Sequence, residues 1–189
     1  IDQDRLTQLL PYLQLRLASR DGNPFANFLK TKGVVFDDLF LSLNSSPERG
    51  LNGNMHLYSL VADSTMIDTV RFYVAQDSAS RLRFVGRVHN RKDNPQLAFT
   101  TLLNGYYFET EAGLDVKFYD AADSLGAYLG ARAEMCDSGI NVRLTPDKPV
   151  LGYKEFTLNT DNYIFLGRDR RVHARVDLIA DDYTGVKIY

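Results

Sequence analysis

The sequence predicts an all-β protein with short helices at its N-terminus, built as one long antiparallel meander. Three observations carry that expectation. From Val34 onward apolar and polar residues alternate with a period of two, the signature of strands with one dry and one wet face. Glycine-containing turn signals recur at about the 8 to 12 residue rhythm of a β-meander. A helical spacing is confined to the opening residues, which divides the chain into a helical segment, 1–33, and a β segment, 34–189, of one continuous unit.

At the N-terminus Leu6, Leu9, Leu10, Leu13 and Leu17 recur at three- and four-residue intervals among Arg5, Gln8, Gln14 and Arg16, which predicts an amphipathic helix interrupted at Pro11. Its leucine stripe would have to lie on or in the sheet. Asp21-Gly22 reads as a stop. Asn23 then offers an N-cap with Pro24 at the first helical position, Phe25, Phe28 and Leu29 form a second short stripe, and Gly33 closes it.

Five strands are read from the clearest alternation: Leu82-Phe84-Gly86-Val88, Leu114-Val116-Phe118, Leu125 through Met135, Ile140-Val142-Leu144, and Val172-Ala174-Val176-Leu178. Less regular candidates cover 39–43, 55–61, 66–75, 97–103, 106–108, 156–158, 163–166 and 186–188. The turns are expected at Asn52-Gly53, Asn104-Gly105, Ala112-Gly113, Ser138-Gly139, Gly167-Arg168 and across 181–185. A meander with one apolar face must hide it by closing into a barrel, stacking as a sandwich, or bending into a trough filled by something else. Alternation cannot choose among these, although small residues at Gly86, Ala127, Gly130, Ala131 and Ala133 permit strong bending.

Composition and motifs remove several function classes. At 189 residues the chain is long enough to bury a core without staples. Lys plus Arg is 22 against 24 Asp plus Glu, a net charge of −2, which argues against a general nucleic-acid binder. No apolar run approaches a membrane span and no signal peptide is read; a start at Ile1 suggests a piece of something longer. Cys136 stands among Glu134 and Asp137, whose charges would raise its pKa, so it reads as a half-buried small side chain at a strand end and not a nucleophile. His56, His89 and His173 fall on polar strand faces without metal-site spacing. Asp37-Asp38 and Asp181-Asp182 lack the pattern of a calcium loop. The eleven tyrosines fit sheet propensity better than a sugar site. Arg168, Arg170, Arg171 and Arg175, interleaved with Asp169 and Asp177, read as a solvated surface before a phosphate-binding rim. No catalytic residue, metal or cofactor is expected.

The C-terminal third carries a resemblance. Leu144-Thr145-Pro146-Asp147 through Pro149-Val150-Leu151-Gly152-Tyr153, then Phe156-Thr157-Leu158-Asn159 and Asn162-Tyr163-Ile164-Phe165-Leu166-Gly167, resemble the TamB-type translocation and assembly module of the AsmA-like envelope proteins of Bacteroides-like bacteria. Leu51-Asn52-Gly53 and Pro11-Tyr12-Leu13 fit more loosely. The resemblance implies a U-shaped β-trough (a β-taco) with an apolar interior, in a periplasmic protein anchored at the inner membrane and working with an Omp85-type barrel partner. It implies a conduit for phospholipid acyl chains or a helper of barrel-protein insertion, and no enzyme. The lining residues would be Leu82, Phe84, Val88, Leu114, Val116, Phe118, Leu125, Leu129, Ile140, Val142, Leu144, Val172, Val176 and Leu178, a series without a charge. Sequestering an acyl chain of about fourteen methylenes is worth about 11 kcal/mol, which only a continuous dry lining can supply. The alternatives are a protein scaffold that guides strands by β-augmentation and a self-contained β-sandwich binding module, whose core the same residues would form.

Overall fold

The structure is a computed structural model and describes residues 10–77 and 80–189. In chain order the elements are β1 (Leu13–Arg20), α1 (Pro24–Lys30), β2 (Val34–Val35), β3 (Asp38–Ser46), β4 (Gly50–Ala62), β5 (Thr65–Gln76), β6 (Leu82–Asn90), β7 (Phe99–Phe108), β8 (Glu111–Asp120), β9 (Leu125–Cys136) and β10 (Gly139–Leu151). There follow β11 (Lys154–Glu155), β12 (Thr157–Leu158), β13 (Tyr163–Gly167), β14 (Val172–Ile179) and β15 (Gly185–Ile188). All fifteen strands belong to one antiparallel sheet, ordered β1-β3-β4-β5-β6-β7-β8-β9-β10-β13-β14-β12, with β2 on β4, β11 on β10 and β15 on β14. The two ends of this path do not pair with each other, so the sheet is open and trough-like, neither barrel nor sandwich.

Long strands explain the openness. β4 and β10 run 13 residues each and β5 and β9 run 12, and from β5 to β9 each strand pairs only with the strands before and after it in the chain, as a meander does. Among the described residues no second layer covers the middle of the sheet. The accessible surface is 12322 Å², whereas a compact monomer of 21.4 kDa exposes about 9,100 Å². Buried apolar residues gather at the two ends. Ala26 and Phe36 are buried near α1, while Pro149, Leu158, Val176 and Ala180 pack where β10, β12 and β14 meet.

The N-terminal reading needs correction. Leu13 to Leu17 are a strand, not a helix: β1 pairs with β3 along its whole length, Leu13 opposite Ser45 through Arg20 opposite Asp38. The leucines satisfy both periods, because Leu13, Leu15 and Leu17 also alternate with Gln14 and Arg16; the eight-residue ladder with β3 decides for the strand. Leu6 and Leu9 lie outside the described residues. The second helix forms as expected, with the Asn23 side chain accepting a hydrogen bond from the Phe25 amide at 2.8 Å. It leaves Phe25 and Phe28 exposed and does not fill the sheet's apolar face.

Three expected turns are strand interiors instead. Asn52-Gly53, Asn104-Gly105 and Ala112-Gly113 lie within β4, β7 and β8, so the candidates 97–103 and 106–108 merge into one strand that starts at Phe99. Gly105 serves space and not turning: a Cβ there would sit 2.1 Å from Cζ of Phe84, whose ring crosses over it. The β7–β8 reversal falls instead at Glu109, which adopts φ 54°. Beyond Gly33 no helix occurs among the described residues.

Candidate functional site: the apolar face of the sheet

Register places the alternating residues together. Opposed residues of an antiparallel pair project to the same side, so each cross-strand row can be followed from strand to strand. One row runs Leu15, Leu43, Gly53, Val74, Phe84, Gly105, Leu114, Ala131, Leu144, from β1 to β10. Its eight inter-strand steps cover about 38 Å. Beside it run Leu17, Leu41, Met55, Phe72, Gly86, Leu103, Val116, Leu129 on one flank and Leu82, Tyr107, Ala112, Ala133, Val142, Ile164, Ala174 on the other. A further row joins Leu39, Leu57, Val70, Val88, Thr101, Phe118, Ala127 and Leu151. No charged residue stands in any of them.

Thirteen of the fourteen lining candidates fall on this face. Leu82, Phe84, Val88, Leu114, Val116, Phe118, Leu129, Val142 and Leu144 are in these rows. Ile140 joins through Leu166 and Val172, and Val176 and Leu178 continue by alternation toward Ile188 and Val186. Val116 and Val142 therefore point to the same side, as expected. Leu125 does not belong: the register shifts between Phe118 and Tyr119, which sets Leu125 opposite Tyr119 and out of phase with Ala127. A bulge of this kind is invisible to period-two reading. The same reading missed the contribution of β1, β3, β4 and β5, whose Leu15, Leu43, Met55 and Phe72 extend the face.

The face is accessible. Leu15, Phe72, Leu114, Leu129 and Leu166 are exposed, Val172 is 63% exposed, and Val176 is buried at 4%. Phe84, Val116, Phe118, Val142 and Leu144 are half-buried by their strand neighbours alone. Ring pairs stiffen it, with Phe72 stacked on Phe84 at 6.1 Å and Phe99 on Phe118 at 5.7 Å. Charge is confined to the strand ends, where Asp68 on the same face pairs with Arg91 at 3.7 Å.

The opposite face is polar and carries all three histidines. His56 lies 3.4 Å from Asp38 and His89 2.9 Å from the Thr100 hydroxyl, while His173 sits opposite Phe165. No group of three His, Cys, Asp or Glu side chains able to hold a metal occurs among the described residues. Asp115 and Arg132 pair at 2.7 Å on this face. The Cys136 reading is corrected in two respects: the side chain is exposed and not half-buried, and the Ser138 hydroxyl beside the sulfur lowers the thiol's pKa and outweighs the opposing push of Glu134. Arg171 and Arg175 pair with Asp169 and Asp161, at 3.5 and 2.7 Å. Comparison of the chain with protein-family models, with curated proteins and with solved structures gives no match.

Proposed function

We propose that the apolar face is a groove for phospholipid acyl chains, in a non-catalytic segment of an envelope assembly protein of the TamB type. The observation that carries this reading is the set of uncharged rows crossing up to nine strands of a sheet whose dry face has no covering layer among the described residues. A globular binding module would bury those leucines, since each one left in water forgoes about 1.5 to 3 kcal/mol. A face that stays half-exposed over about 38 Å suits a long, sliding apolar ligand better than a fixed core. The periplasmic setting, the inner-membrane anchor and an Omp85-type partner belong to the same proposal.

A second reading, a scaffold for barrel strands, is favoured by one feature: the outer edge of β1 has no partner among the described residues and offers eight residues of open ladder. Lipid extraction and native mass spectrometry of the purified protein test the first reading. Bound phospholipid, displaced by a competing acyl-chain ligand, is the expected result; protein that is lipid-free after purification and after incubation with phospholipid vesicles would overturn it.

A further inference from the structure

We infer that the polar face of the sheet holds an oxyanion site between Arg71 and Arg87, chemically independent of the apolar groove behind it. The two arginines are directly opposed on β5 and β6. They stand in a cross-strand row that reads Phe40, His56, Arg71, Arg87, Leu102, Lys117, Tyr128 and contains no carboxylate. Like charges directly opposed across a ladder destabilise it, so this pairing calls for a counter-charge. The carboxylates in the flanking rows are committed elsewhere. Asp38 faces Arg20 at 3.7 Å and His56 at 3.4 Å, and Asp115 is held by Arg132 at 2.7 Å. Arg71, Arg87 and Lys117 make no ion pair among the described residues.

The site is partly built. Arg71 donates to the Tyr58 hydroxyl at 3.0 Å and lies over that ring, which itself packs against the His56 ring, so the Arg71 guanidinium is oriented by Tyr58. Arg87 is exposed and free to close on a ligand. Asn54, Tyr58, Arg71, Tyr73 and Arg87 border a shallow depression of about 360 Å³. Two guanidinium forks on opposed residues bordering it suit the tetrahedral oxygens of a phosphate or sulfate ester, and the hydroxyl and amide groups at the rim can bond the group that bears it.

The test titrates the whole chain with inorganic sulfate and inorganic phosphate at ionic strength held constant with chloride, following backbone amide resonances. The wild type is expected to show saturable shifts centred on residues 54–58, 71–73 and 85–87. Arg87→Gln should weaken binding at least about tenfold, and Arg87→Glu, which gives Arg71 a partner, should abolish it while raising the melting temperature. Arg168→Gln, remote from the depression, should bind like wild type. Non-saturable shifts, or equal affinity in wild type and Arg87→Gln, would overturn the site. Glucose 6-phosphate, glucose 6-sulfate and vesicles with and without phosphatidylglycerol then separate the sources. Tighter binding of the sugar esters assigns a soluble ester, and vesicle binding that Arg87→Glu abolishes assigns a lipid headgroup.

Discussion

Val142→Asp puts a carboxylate into the row Leu82, Tyr107, Ala112, Ala133, Val142, Ile164, Ala174, between Ala133 on β9 and Ile164 on β13. Val142 is half-buried, so removing its side chain forgoes about 1 kcal/mol of apolar burial. Replacing a β-branched residue by Asp in a strand costs about 1 kcal/mol more. Because the face is open, the carboxylate reaches water and adds no large desolvation term. The total of about 2 kcal/mol lowers the melting temperature of a chain this size by about 4 to 8 °C. In a closed core the same unpaired charge would cost several kcal/mol more and prevent folding, or force the group to stay protonated. A thermal melt with lipid extraction on the same sample decides. The expected mutant is folded, modestly destabilised and depleted of lipid about tenfold. A mutant that fails to fold would refute the open face, and a folded mutant with wild-type lipid would refute the groove at this position.

Gly105→Ala should destabilise by about 1 to 3 kcal/mol, because its Cβ would fall 2.1 Å from Phe84 Cζ and 2.8 Å from the Gly113 carbonyl oxygen; an unchanged urea midpoint would contradict the ring-over-glycine packing. Asp182, paired with the Lys154 ammonium, should titrate at about 2 by NMR instead of the ordinary 3.8. A depressed carboxylate contributes stability that is complete above the ordinary value and lost as pH falls toward about 2, so Lys154→Ala should return Asp182 toward 3.8 and remove that contribution; an unmoved titration would contradict the pair. Ser138→Ala should slow iodoacetamide alkylation of the exposed Cys136 at mildly alkaline pH, since the hydroxyl lowers the thiol's pKa; an equal rate would show that it does not.

Strand alternation made most of the sheet legible in the sequence. Leu114 through Phe118 shows one face clearly because Asp115 and Lys117 separate its apolar residues without a break, and Leu82 through Val88 does so apart from Val85. The N-terminal leucines misled because three- and four-residue spacing and two-residue spacing coexist there, and only the partner strand β3 chooses between them. Gly53, Gly105 and Gly113 read as turns because local composition cannot show that an aromatic ring or branched side chain on the next strand needs the space. Leu125 was misplaced by a bulge, which shifts phase without any marker in spacing. The polar row through Arg71 and Arg87 was invisible for a related reason: those residues are 16 apart and meet only through the β5–β6 register. Whether the dry face is covered was also beyond alternation, since a core strand and a trough strand carry the same pattern.

Phe84 and Val85 are adjacent on β6 and project to opposite sides of the sheet, with Val85 48% exposed on the polar face. A photo-crosslinking amino acid placed at each position, in protein loaded with radiolabelled phospholipid, asks directly which face holds acyl chains. Strong labelling from position 84 and none above background from position 85 is the result the groove requires. Equal labelling from both positions, or none from position 84 in a folded protein, would contradict it.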